Sequence, residues 1–87
     1  MDLNELKEKV KDFEAKAGFD KTEVKELLNM LQEEVDILKN NTSNKSVVDH
    51  QLTDLQILIM QIANRYETDF DSELNKWFEK SKKYVKD

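Results

Sequence analysis

Glu33 and Glu34 stand side by side in the run Leu31 to Leu38, and Gln51 and Asp54 follow about one helix length later. At about 100° per residue, Glu34 falls at the edge of an apolar arc formed by Val24, Leu27, Leu28, Leu31, Val35 and Leu38. Gln51 and Asp54, one turn apart, flank Leu55 and Leu58 at the margin of a second apolar face. Carboxylates on facing helices are where bundles hold hard cations. Magnesium selects oxygen and uses one or two protein carboxylates together with substrate phosphates. An acid turned toward apolar neighbours is costly unless a cation or hydrogen-bond donors answer it. The plainer alternative is that Glu34 leans to water or pairs with a lysine, and that Asp54 is an acid in the favourable first half of a helix.

Lys76, Lys80 and Lys83 recur at i, i+4 and i+7, one helical face on which point charges could grip phosphate oxygens. Their alternative is a solvated helix end favoured by the macrodipole. Trp77 and Tyr84 could stack a base, or could pack beside Leu74, Phe78 and Val85. His50 is the sole histidine and has no patterned partner, so it receives no role.

The elements that must position these groups are helices. Leu3, Leu6, Val10, Phe13 and Ala17 form one stripe ending at the single glycine, Gly18, which predicts a first helix over about residues 2–17. Asp20 and Glu23 form a capping-box-like start for a second, about 21–39, and the polar run Asn40 to Asn44 ends it. Ser46 and Asp49 repeat the capping spacing ahead of Val48, Leu52, Leu55, Ile59, Ile62 and Tyr66, the stripe of a third helix over about 47–66. Thr68 or Asp69 caps a fourth over about 70–86, with Phe70, Leu74, Trp77, Phe78, Ser81 and Val85 on one face.

An 87-residue chain with no proline and equal 38% shares of hydrophobic and charged residues suits one all-α domain, a four-helix bundle. A net charge of −5 disfavours binding to nucleic acid. The absence of cysteine excludes a disulfide scaffold and a thiolate nucleophile. No apolar run approaches a membrane span and the N-terminus lacks signal-peptide features, so a cytoplasmic protein without membrane attachment is expected. Met30, Ile37, Ile57 and Met60 lie off the stripes above, and predict either a second surface, for a homodimer or another helical partner, or a wider core.

Leu31-Gln32-Glu33-Glu34-Val35-Asp36-Ile37-Leu38 resembles the Glu-Glu-x-x-Glu helix of the MazG-like all-α nucleoside triphosphate pyrophosphohydrolases. Gln51-Leu52-Thr53-Asp54 is similar to that family's Glu-x-x-Asp, and Lys76 to Lys80 with Lys82-Lys83-Tyr84 to its closing Lys, Asn, basic and Tyr pattern. The likeness runs from about residue 27 to 84. It departs at Ile37, where the family has its third Glu, at Gln51 in place of Glu, and at Lys80 in place of Asn. The resemblance implies a MazG-like four-helix bundle that self-associates as a dimer or a dimer of dimers. It implies hydrolysis of a nucleoside triphosphate to monophosphate and pyrophosphate, with Mg2+ or Mn2+ as cofactor. Glu33, Glu34 and Asp54 are then the catalytic acids, Glu34, Asp54 and Gln51 the metal ligands, and Lys76, Lys80, Lys83 and Tyr84 the nucleotide-binding group. With Ile37 and Gln51 in place of acids, two carboxylates suffice for one ion but not for a second. The alternatives are a non-catalytic interaction or regulatory protein that keeps the bundle and its dimer surface, and a small helical immunity protein with chance likeness to the family.

Overall fold

The computed structural model describes residues 1–85 and contains four α-helices and one 3-10 turn. They are α1 (Leu3–Ala17), α2 (Val24–Lys39), α3 (Lys45–Tyr66) and α4 (Phe70–Ser81), with the 3-10 turn at Lys82–Tyr84. The expected all-α, four-helix architecture is what the chain adopts. No described helix is long and apolar enough to cross a membrane.

The ends of the helices follow local chemistry, with three departures from the expected boundaries. Asp2 caps α1 by accepting from the Glu5 amide at 2.8 Å, and Gly18 closes it with φ +78°, donating to the Glu14 carbonyl. At the start of α2, Asp20 makes no cap; Glu23 holds that position without a side-chain bond, and the helix begins at Val24. The reason is tertiary: the carbonyls of Phe19 and Thr22 accept hydrogen bonds from Arg65, which holds this segment as a loop. For α3 the cap is Asn44, accepting from the Val47 amide at 3.2 Å, not Ser46. Asp69 caps α4 as expected, accepting from the Ser72 amide at 3.2 Å. That helix ends at Ser81; the expected extension includes residue 86, which lies outside the described residues.

Helix α3 is the centre of the molecule, with α2 on one flank, α1 on the other, and α4 packed on α1 alone. Only Val10, Leu27, Leu58, Met60 and Ala63 are buried among the described apolar residues. This layout corrects two expectations. Met60 belongs to the core, fully buried, because α3 is covered on two sides and its inward arc is wider than one stripe. Conversely, the stripe expected to face inward on α3 is largely outside: Leu52 is 53% and Tyr66 67% exposed, and Ile59 is exposed too. On α2, Leu27 is buried while Leu28 and Val35 are exposed. The face of α4 is likewise open at Leu74, Trp77 and Phe78, and Val85 beyond the 3-10 turn is exposed too, so Trp77 is not packed in a core.

The α2–α3 cleft and the Glu14–Arg65 clip

The antiparallel pairing of α2 and α3 places Glu34 opposite Gln51. The Gln51 amide donates to the Glu34 carboxylate, and the same nitrogen lies 3.3 Å from the Glu34 carbonyl oxygen. Gln51 is buried and Glu34 half-buried, so the polar seam read from the sequence exists. Where a second acid would repel Glu34, an amide N–H answers it. One turn along, Asp54 joins Glu34 in lining a cleft of ≈ 220 Å³, walled by Met30, Ile57, Leu58 and Gln61. Asp54 also has a neighbour at its outer side, with Oδ2 3.1 Å from His50 Nε2.

The remaining expected site residues are not gathered there. Glu33 is exposed, on a different side of α2 from the seam. Lys76, Lys80, Lys83 and Tyr84 lie on α4 and the 3-10 turn, and α4 has no packing contact with α2 or α3. Lys76 and Lys80 border a groove with Glu73 and Trp77, Lys76 Nζ lying 3.4 Å from Glu73 Oε1. Lys83 Nζ sits 5.1 Å from the centre of the Tyr84 ring, a cation–π arrangement. Among the described residues no group of three or more acidic, histidine or cysteine side chains is placed to share a metal ion. Glu34 and Asp54 offer hard oxygen donors from two helices, a set that fits one magnesium ion completed by water and phosphate. It does not fit a pair of ions.

The most strongly built polar feature joins α1 to α3, and reading the sequence missed it. Glu14 is only 1% exposed and meets Arg65 through two parallel bonds, Nη1 to Oε1 at 2.9 Å and Nη2 to Oε2 at 2.7 Å. The Gln61 amide adds a third donor at 3.1 Å. Arg65 spends its other N–H groups on the carbonyls of Thr22, Phe19 and Gln61, so its planar fork ties α1, the loop and α3 together. Burial alone would raise the Glu14 pKa, yet the hydrogen bonds from Arg65 and Gln61 and the charge of Arg65 hold it below the ordinary value. Arg65 is raised in turn, first by its hydrogen bond to Glu14. A signal was available: at about 100° per residue Glu14 lies about 40° from Val10, at the margin of the apolar arc of α1.

A second anchor joins the N-terminus to α4. Asn4 donates to Asp69 Oδ1 at 3.2 Å and accepts from the Phe70 amide at 3.0 Å. The Asp69 carboxyl is held below its usual range by the Ser72 amide first and then by Asn4.

No protein-family model matches the chain, and neither does any curated protein or solved structure.

Proposed function

We propose that the α2–α3 cleft is a magnesium–nucleotide site of the MazG-like kind, acting on a nucleoside triphosphate to give monophosphate and pyrophosphate at a rate reduced by the loss of two acids. The observation that supports this reading is that Glu34 and Asp54, from two helices, line one open cleft. Glu34 is oriented by the Gln51 amide, which leaves its carboxylate directed across the seam. Asp54 stands at the same opening from α3. Magnesium or manganese bound there would supply charge neutralisation of the phosphates and polarisation of the attacked phosphorus. Lys76, Lys80, Lys83 and Tyr84 lie away from this cleft, on α4 and the 3-10 turn, and take no part in the proposed site. A cytoplasmic setting is part of the proposal.

The test is release of pyrophosphate from a panel of nucleoside triphosphates with magnesium or manganese. Asp54→Ala and Glu34→Ala should each abolish it, because each removes half of the donor set. Absence of release from every nucleotide with the unaltered protein overturns the hydrolase reading.

The second reading is a non-catalytic interaction or regulatory protein. It is favoured by the Gln51–Glu34 hydrogen bond, which satisfies the seam acid with protein groups alone. Under this reading, calorimetric titration with magnesium in the presence of nucleotide yields no binding heat.

A further inference from the structure

The charges of this chain are unevenly spread. Residues 1–75 hold nine lysines and arginines against 17 acids, whereas residues 76–87 hold five lysines against two acids. A short basic segment on an otherwise acidic chain marks one part of the surface for an anionic partner.

The same segment carries Trp77, Phe78, Tyr84 and Val85, each at least 60% exposed. Together with Ser81 and Lys82 they line a hollow of ≈ 600 Å³. Trp77 and Phe78 meet edge to face with ring centres 5.0 Å apart, and the 3-10 turn brings Tyr84 and Val85 to the same hollow. Among the described residues nothing covers it. The turn packs on α4 alone, and α1 holds the start of α4, where Phe70 is half-buried and Asn4 bonds to Asp69 and Phe70. Large apolar side chains gathered on a free surface and rimmed by polar ones mark an interaction site.

Lysines form that rim. At about 100° per residue, with Phe70 as zero, Trp77 falls at about −20° and Phe78 at about 80°, while Lys80 and Lys76 follow beside Trp77 at about −80° and −120°. Lys76 and Lys82 lie 3.4 and 2.9 Å from Glu73 and Glu79, in exposed pairs. Lys80 and Lys83 have no carboxylate partner among the described residues.

We propose that α4 and the 3-10 turn seat this chain on an anionic phospholipid surface. Trp77, Phe78, Tyr84 and Val85 enter the boundary between headgroups and acyl chains, and Lys80 and Lys83 meet lipid phosphates. Charge complementarity selects an anionic occupant, and the side chains between the lysines select lipid: tryptophan and tyrosine rings settle at headgroup depth, with lysines at the charged surface. Nucleic acid fits less well, because the Trp77 and Phe78 rings stand 86° apart and make a wedge, where successive bases need faces on which to stack. Repulsion of the acid-rich remainder fixes which side of the molecule faces the lipid. The expectation of no membrane attachment followed from the lack of a span, and an interfacial face needs none. This proposal does not rest on the cleft reading, since α4 has no packing contact with α2 or α3.

Trp77 is the only tryptophan, so its emission reports on this face directly. Vesicles containing about one-third phosphatidylserine in phosphatidylcholine should move the emission of the full chain to shorter wavelength, and pure phosphatidylcholine should not. In co-sedimentation with the anionic vesicles, Lys80→Gln with Lys83→Gln should weaken binding about twentyfold. Trp77→Ala with Phe78→Ala should weaken it about tenfold or more. All four side chains are exposed, so the helical circular dichroism should be unchanged. Lys39→Gln with Lys45→Gln removes the same charge from another part of the surface and should leave binding as it was. Equal binding to neutral vesicles, no emission shift with either kind, or equal losses from the Lys39 and Lys45 changes would overturn the inference. So would a shift produced by oligodeoxythymidylate or polyglutamate and not by vesicles, which would reassign the face to nucleic acid or to an acidic protein.

Discussion

Two acidic sites flank α3, and they are finished to different degrees. On the α1 side, Glu14 is buried against the fork of Arg65 and the amide of Gln61, and Arg65 has a carbonyl for each N–H that Glu14 leaves over. On the α2 side, Glu34 has one amide donor and Asp54 one exposed histidine, and both open onto a cleft. Among the described residues the chain supplies an arginine to the carboxylate between the first pair of helices, and neither lysine nor arginine to those between the second. A carboxylate whose partners are all internal fixes helices in place. One that keeps lone pairs toward an opening is free to take a ligand.

The largest effect should come from breaking the finished site. Glu14→Ala leaves the half-buried Arg65 guanidinium without its counter-ion and should cost about 3 kcal/mol in urea unfolding. A loss under about 1 kcal/mol would rank the clip with ordinary surface pairs. The same pair sets a pH dependence. With its folded pKa lowered, Glu14 adds stability that is fully present above the unfolded carboxyl value of about 4.3 and is lost as pH falls through the folded one. Glu14→Gln should flatten that acid limb in a series of denaturation curves from pH 7 to 3.

Next in size is a change that sharpens the contrast by making the open site more acidic. Gln51→Glu removes the donor to Glu34 and places a second carboxylate against it, which should cost about 1–3 kcal/mol without divalent ions. Millimolar magnesium or manganese should restore the lost melting temperature, as a ligand that binds only the folded state does. If neither ion restores it, the cleft is not a cation site.

Asp69 gives a smaller acid-dependent effect than Glu14. Its pKa is lowered, so the stability it adds is present above the usual carboxyl range and fades as pH drops through its folded value. Asp69→Ala should remove that contribution and loosen the N-terminal end of α4, seen as faster amide exchange at Ser72. The smallest change is His50→Ala, about 0.3–0.5 kcal/mol, because the pair with Asp54 is an exposed i, i+4 contact.

The local code of this chain was readable. Helical periodicity, Gly18 as a left-handed stop, the polar Asn40 to Asn44 break and the Asp69 cap all act within a few residues of themselves, and all appear in the structure. The seam between Glu34 and Gln51 was readable too, because two polar residues at the margins of apolar faces signal helices that meet there. Its chemistry was less so: reading by residue type makes Gln51 a weakened metal ligand, and only the packed pair reveals it as a donor that holds Glu34.

The sequence by itself determined that there are four helices, roughly where they start and stop, and that acids reach the α2–α3 seam. Tertiary structure alone decided which arc of each helix is inside. Periodicity describes a stripe, and a stripe does not say whether its cover comes from the same chain. With α3 flanked on two sides, Met60 and Ala63 are buried while the more regular Leu52, Ile59 and Tyr66 stay open. Arg65 in the last turn of α3 selects Glu14 and the Phe19 to Thr22 loop from far along the chain, a pairing set by three-dimensional reach, which no local spacing encodes.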